Sequence, residues 1–277
     1  MMQLYYLNSY NQKIDFMNWP YMAHANDLLN FEWSFEKSES MHGNKIYNFC
    51  RKTAIKYIDI DISANTREKY YDALNNIISI AEKDILAGKQ GKLYLGKRYV
   101  SCNIYAVNTD DWNFDNDIQE KRLKIIIPNP AWIEETTIRF DRGQNEEEYF
   151  YPYDFPYDYP SGNLRSDLKN SHYVACDFKM TIYGSCTNPM IYIGDNTYQL
   201  DYTIGEKEYV TIDSKEGTIV LTKENGDKVN IFAHRNTNYN IFSKIPAGIS
   251  PVTWESGVKT FDVIVISERG EPDWTEL

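Results

Sequence analysis

Apolar residues recur at every second position in short runs along almost the whole of this chain, and a helical spacing replaces that pattern only once. Side chains alternate between the two faces of a strand, so this period selects half-buried strands and a layered β architecture. In the first part the runs are Leu4-Tyr-Tyr-Leu7, Ile14-Asp-Phe16, Leu29 to Phe35 and Thr53 to Ile62. The third run places Phe31, Trp33 and Phe35 on one face, and the fourth places Asp59 and Asp61 on its polar face. Strands resume at Lys92–Leu95, Tyr99–Tyr105 and Leu123–Ile127, until Pro128 and Pro130 stop the last before Trp132. The exception is a helix opened by Thr66, with Tyr70, Leu74, Ile77, Ile78, Ala81 and Ile85 as an apolar stripe and Gly88 as its left-handed stop.

Residues 141–163 mark a boundary. Glu146-Glu-Glu148 is a charge run, and Tyr153-Asp-Phe-Pro156 repeats as Tyr157-Asp-Tyr-Pro160. Proline at that density prevents strand pairing and stiffens the chain. We therefore expect an N-terminal domain over 1–145, a Tyr/Pro-rich linker over 146–163 and a C-terminal domain over 164–277. The second half is almost all β. Gly194-Asp-Asn196 sits between two strand runs, a polar turn separates Tyr209–Asp213 from Gly217–Leu221, and Asn225-Gly226 predicts a type I′ hairpin. Short strands at regular spacing read as a sandwich.

The chain closes with Val252-Thr-Trp254, a Ser256-Gly257 turn that predicts a hairpin, and Phe261 to Ile266. That last strand is apolar on both faces, which suits a central position. The charged tail Glu268-Arg269-x-Glu271-Pro272-x-Trp274 then ends on an indole, and burying it is worth roughly 2–3 kcal/mol. We expect Pro272 to redirect the tail and Trp274 to anchor it on its own subunit or on a neighbour.

Composition excludes several classes. The 277 residues carry a net charge of −11, and residues 1–150 hold 18 Lys/Arg against 22 Asp/Glu. No segment is basic enough for specific nucleic-acid binding, and an acidic surface lets DNA pass without adhering. The start lacks the basic and apolar parts of a signal peptide, and no run approaches a membrane segment. The 23 tyrosines suit strands and contact surfaces that are apolar on one side and wet on the other. Cys50, Cys102, Cys176 and Cys186 show no CxxC spacing and read as free thiols.

Nothing in the sequence calls for a reaction, so no catalytic residue, metal or cofactor is assigned. His24, His42, His172 and His234 each lie in or near a predicted turn, without His-x-His, HExxH or a Gly-x-Ser-x-Gly elbow. The close carboxylate sets Asp59/Asp61, Asp110/Asp111 and Asp115/Asp117 fall on polar strand faces or loops, where solvation explains them. Asp195, Glu224 and Asp227 fall in predicted hairpin turns, where they serve the backbone.

Several motifs, taken in order, resemble those of the distal tail proteins of long-tailed phages and prophages of Gram-positive bacteria. They are Tyr6-Leu-Asn-Ser-Tyr-x-Gln-Lys-Ile-Asp-Phe16 with Trp19-Pro20, Pro128-x-Pro-x-Trp132, the Tyr/Pro repeat, and Gly205-Glu206. Ile212-Asp-Ser214, Asn230-Ile-Phe232, Ile245-Pro-Ala-Gly248 and the Glu268 to Trp274 tail follow. The resemblance implies a mainly β fold: a tail-tube-like N-terminal β-sandwich with one flanking helix, and a galectin-like C-terminal β-sandwich. It implies a virion structural protein assembled in the host cytoplasm, forming a hexameric ring with itself at the distal end of the tail. That ring joins the tail tube protein to a tail-tip or baseplate hub protein and leaves a channel for DNA. No catalytic or metal residue carries over from the family, and the chain has no room for an inserted carbohydrate-binding module. Trp132, Arg269, Glu271, Pro272 and Trp274 are the residues expected at partner or intersubunit packing.

Two other classes remain at this stage. A carbohydrate-binding β-sandwich would use His234, Arg235, Asn236 and Asn238, which a hairpin loop explains equally. A cell-wall hydrolase would use one of the carboxylate sets.

Overall fold

The computed structural model describes residues 3–109, 118–142 and 166–272. The chain divides into two compact units, Met1–Glu134 with Glu268–Leu277, and Glu135–Ser267. The expected C-terminal domain ran through to residue 277, whereas the described residues from Glu268 onward group with the first unit. The expected linker over 146–163 lies outside the described residues.

In the first unit the antiparallel order is β3–β6–β9–β8–β7–β1–β2. The strands are β1 (Leu4–Leu7), β2 (Lys13–Asp15), β3 (Tyr21–Asn26), β6 (Ala54–Ser63), β7 (Gly91–Leu95), β8 (Arg98–Thr109) and β9 (Ile118–Ile127). β8 serves both halves of this order: residues 98–102 pair with β7 and residues 103–109 with β9. An extra residue, Tyr105, stands where the β8–β9 register shifts. Tyr6, Ile14, Ile58, Ile60, Ile62, Leu93 and Ile125 fill the core.

Helix α1 (Arg67–Leu86) packs on β6 and β8. Thr66 Oγ1 accepts from the Lys69 amide at 3.3 Å and caps its start. At its end the Gly88 amide donates to Ile85 O (3.1 Å) and the Lys89 amide to Asp84 O (3.0 Å), with Gly88 at φ +62°. This is a Schellman stop, built on the left-handed Gly88 that the sequence predicts. The buried face is Tyr70, Ala73, Ile77, Ile80, Ala81 and Asp84, while Ile78 and Ile85 are exposed. The predicted stripe is thus turned by part of a turn: an α-helix so rich in apolar residues has two candidate faces, and the sheet selects one.

β4 (Ser34–Ser40) and β5 (Gly43–Cys50) form a separate two-stranded sheet. Phe31 and Trp33 precede it without strand pairing, and Phe35 is its second residue. The alternation that predicts a half-buried strand here meets no second layer among the described residues, and all three aromatics are exposed.

In the second unit one sheet runs β19–β18–β17–β12–β21–β10 and the other β11–β20–β14–β15. The first contains β10 (Trp132–Asp141, entering this unit at Glu135), β12 (Asp177–Tyr183), β17 (Tyr209–Asp213), β18 (Thr218–Thr222), β19 (Lys228–Asn230) and β21 (Thr260–Arg269). The second contains β11 (Ser166–Asn170), β14 (Met190–Ile193), β15 (Asn196–Gln199) and β20 (Gly248–Trp254). A short pair, β13 (Cys186–Thr187) and β16 (Thr203–Ile204), stands apart. The two larger sheets share one core. Trp254 of β20 meets Phe261 of β21 edge-on at 5.3 Å, and Tyr198 of β15 meets Phe178 of β12 edge-on at 5.1 Å. β21 has strands on both sides, the central position its two apolar faces require.

Two turns differ from expectation. Ser256-Gly257 does not close a hairpin: β20 pairs with β11 and β14, while β21 pairs with β12. The turn instead carries the chain from one sheet to the other, because Trp254, Val258 and Phe261 all bury in the shared core. Asn225-Gly226 does join β18 to β19, but only Gly226 (φ +85°) has positive φ, so the turn is not type I′. The hairpins at Gly194-Asp195 and between β17 and β18 form as predicted.

Candidate assembly surface

The C-terminal segment returns to the base of the β4–β5 hairpin. Arg51, just after β5, places its guanidinium 4.7 Å from the Trp33 ring centroid and 3.5 Å from Glu268 Oε2. A Cβ on Gly270 would lie 3.0 Å from Phe31 Cδ2, so glycine lets the tail run close along that ring. Pro272 is buried two residues later. The tail is thus tied down by an ion pair, a ring contact and an apolar anchor. Beside it a cleft of about 340 Å³ is lined by Asn30, Glu32, Lys52 and Ile55, among others.

The hairpin itself presents apolar side chains to solvent: Phe35, Met41, Ile46, Tyr47 and Phe49 are exposed. Phe35 and Phe49 are 6.0 Å apart across it. Neither Trp33 nor the hairpin is what sequence reasoning names as a contact surface. Of the residues it does name, Trp132 is 3% exposed and packs in the core of the first unit. Arg269 and Glu271 are partly exposed and Pro272 is buried, while Trp274 lies outside the described residues.

Several of the candidate chemical groups are occupied by structural work. Asp59 accepts two hydrogen bonds from Arg122, at 2.6 and 2.8 Å, and this guanidinium holds its carboxyl below the usual range against the opposing effect of burial. Asp110, Asp111, Asp115 and Asp117 lie outside the described residues. Glu224 pairs with Lys207 at 2.7 Å, and Asn225 Oδ1 accepts from the Asp227 amide at 3.0 Å. In the loop weighed for sugar binding, Arg235 lies 4.0 Å over Phe232, Asn236 donates to Asp201 and the His234 ring meets Tyr202 at 4.9 Å. These contacts hold the loop to itself and to the segment at Asp201 and Tyr202. His42 and His172 lie at turns, but His24 sits within β3, away from the turn predicted for it. All four cysteines are free, and burial pushes the Cys102 and Cys186 thiols up. No helix among the described residues is long and apolar enough to cross a membrane.

No protein-family model matches the chain, and no curated protein matches it. Its backbone does match solved structures. One is SPP1 Dit, described as a paradigm of the hub adsorption apparatus of phages infecting Gram-positive bacteria, with TM-score 0.61 and 9% identity over 97% of this chain and 99% of that one. Chains of the phage P2 baseplate in its activated conformation match with TM-score 0.62 (with Ca) and 0.63 (with Sr), each at 12% identity over 98% of this chain and 100% of that one. From end to end, then, this chain has the mainly β fold of phage distal tail and baseplate hub proteins.

Proposed function

We propose that this chain is a structural component of the distal tail of a phage or prophage of Gram-positive bacteria. The observation that carries the proposal is the end-to-end match of fold, which leaves almost no part of either chain unmatched. In this reading six copies form a ring between the tail tube protein and a tail-tip or baseplate hub protein. The first domain builds the ring around a channel for DNA, and the second is a galectin-like β-sandwich. Exposed apolar side chains gathered on the β4–β5 hairpin suit a part that is completed by assembly. The net charge of −11 suits a protein past which DNA moves without being held. The tail from Glu268 to Trp274 fastens each subunit, Pro272 on its own first unit and Trp274 on the same subunit or the next.

Light scattering tests the proposal. Purified protein, alone or mixed with its tail partner, is expected to reach the mass of six chains, and negative-stain images are expected to show rings. A stable monomer that binds glycans tightly and ignores tail proteins would refute it.

A further inference from the structure

We propose that His24, Asp61 and Glu120 form a site for a divalent transition-metal ion, with Zn²⁺ the ion the ligand set fits best. The three residues come from three neighbouring strands, β3, β6 and β9. Asp61 and Glu120 are direct cross-strand partners in the β6–β9 ladder. Like charges at such a position repel. The adjacent rung is matched differently: Asp59 faces Arg122, which donates to both oxygens of Asp59 and lies over the Tyr57 ring at 4.7 Å. Lys121 points to the other face and donates to Thr109 at 2.8 Å. Among the described residues no lysine or arginine pairs with Asp61 or Glu120.

What meets them is the imidazole of His24. The β3–β6 register slips between Ala23 and Ala25, so His24 is the extra residue of a bulge. Its Nε2 lies 3.2 Å from Glu120 Oε1 and its Nδ1 lies 3.5 Å from Asp61 Oδ2. A neutral imidazole has one N–H, so it can donate to one carboxylate while its bare nitrogen faces the other. A metal ion between the bare nitrogen and the carboxylates would resolve that mismatch.

The geometry admits the ion. One donor atom from each residue lies within 4.8 Å of the others. Zinc binds nitrogen and carboxylate oxygen at about 2.0–2.2 Å, which sets donors around one ion roughly 3.3–3.5 Å apart. All three side chains are about half exposed, so each can turn to close that remaining distance. Three protein ligands leave a coordination position open to solvent. An imidazole with two carboxylates selects Zn²⁺ and its neighbours over Ca²⁺ or Mg²⁺, which prefer oxygen alone. The residues are 37 and 59 positions apart, so no sequence spacing announces them.

The test uses the full, untagged chain after chelator treatment. Titration with ZnCl₂ in a calorimeter is expected to show one ion per chain and a rise in unfolding temperature. Co²⁺ is expected to give visible absorption bands without a thiolate charge-transfer band. His24→Asn and Glu120→Gln are expected to weaken Zn²⁺ binding about tenfold or more, a loss of one or more ligand bonds. Cys50→Ser, which removes the exposed thiol, is expected to leave it unchanged. Metal-free variants that unfold as the parent does would show that the fold is intact. Absence of saturable binding, binding that survives His24→Asn, binding lost in Cys50→Ser, or Ca²⁺ acting as strongly as Zn²⁺ would each overturn the site.

Discussion

The Tyr6 hydroxyl donates to Asp84 Oδ2 at 2.5 Å, joining β1 to the last turn of α1 with both side chains fully out of solvent. The Ser9 amide donates to the other carboxylate oxygen at 2.8 Å. Burial first, and then the bond to Asp84, pushes the Tyr6 hydroxyl far above its ordinary range, so it remains a donor at any working pH. The same Asp84 supplies the carbonyl of the Schellman stop. One residue therefore ends the helix and fixes it to the sheet.

Tyr6→Phe should accordingly leave a buried carboxylate with a single donor. The expected cost is about 2–3 kcal/mol, the range for a hydrogen bond to a charged group. Urea denaturation measures it, and a variant within experimental error of the parent would show that the bond contributes nothing net.

Gly91 makes the room for that pair. A Cβ there would fall on the Tyr6 hydroxyl and 2.6 Å from Asp84 Oδ2. Gly91→Ala is therefore expected to lose at least as much stability as Tyr6→Phe. Gly88→Ala makes the contrast: nothing lies within 4 Å of its added methyl, and the cost of about 1 kcal/mol comes only from positive φ. Thermal melts of the two variants side by side would separate crowding from backbone strain.

The Asp59–Arg122 pair predicts an acid-sensitive contribution. The folded-state pKa of Asp59 lies below its unfolded value. Stability from the pair is thus present above the ordinary carboxylate pKa, about 3.9, and is lost as pH falls through the depressed folded value. Arg122→Ala should remove that dependence and cost about 1–2 kcal/mol at neutral pH, a modest figure because the Arg122 side chain is 50% exposed. Denaturant midpoints between neutral and strongly acidic pH would reveal it as a flatter profile in the variant.

Truncation after Ser267 removes the ion pair to Arg51, the contact with Phe31 and the buried Pro272. A loss of roughly 1–3 kcal/mol in the first unit is expected, with lower soluble yield as Phe31 and Trp33 become more exposed. A truncated chain that melts and assembles as the parent does would remove the anchoring role of the tail.

Much of the fold is legible in the sequence because local chemistry is strong where it is legible. Thr66 and Gly88 bracket the helix as caps do, and the hairpin at Gly194-Asp195 follows from its turn residues. Legibility ends where two local solutions are equivalent. A stripe containing both Ile77 and Ile78 cannot say which of them faces a sheet. A Ser-Gly turn between two apolar strands reads the same whether the strands pair or part to opposite sheets.

By itself the sequence determined a mainly β chain with one capped helix, a β-rich second half and an acidic balance, because alternation, capping and charge are properties of neighbouring residues. The tertiary structure decided what distant residues do to one another. It sent β20 and β21 to different sheets, returned Glu268 to Arg51, closed Tyr6 onto Asp84, and set His24 beside Asp61 and Glu120. Such pairings depend on strand register and on which face is buried, and both are fixed only when the layers pack.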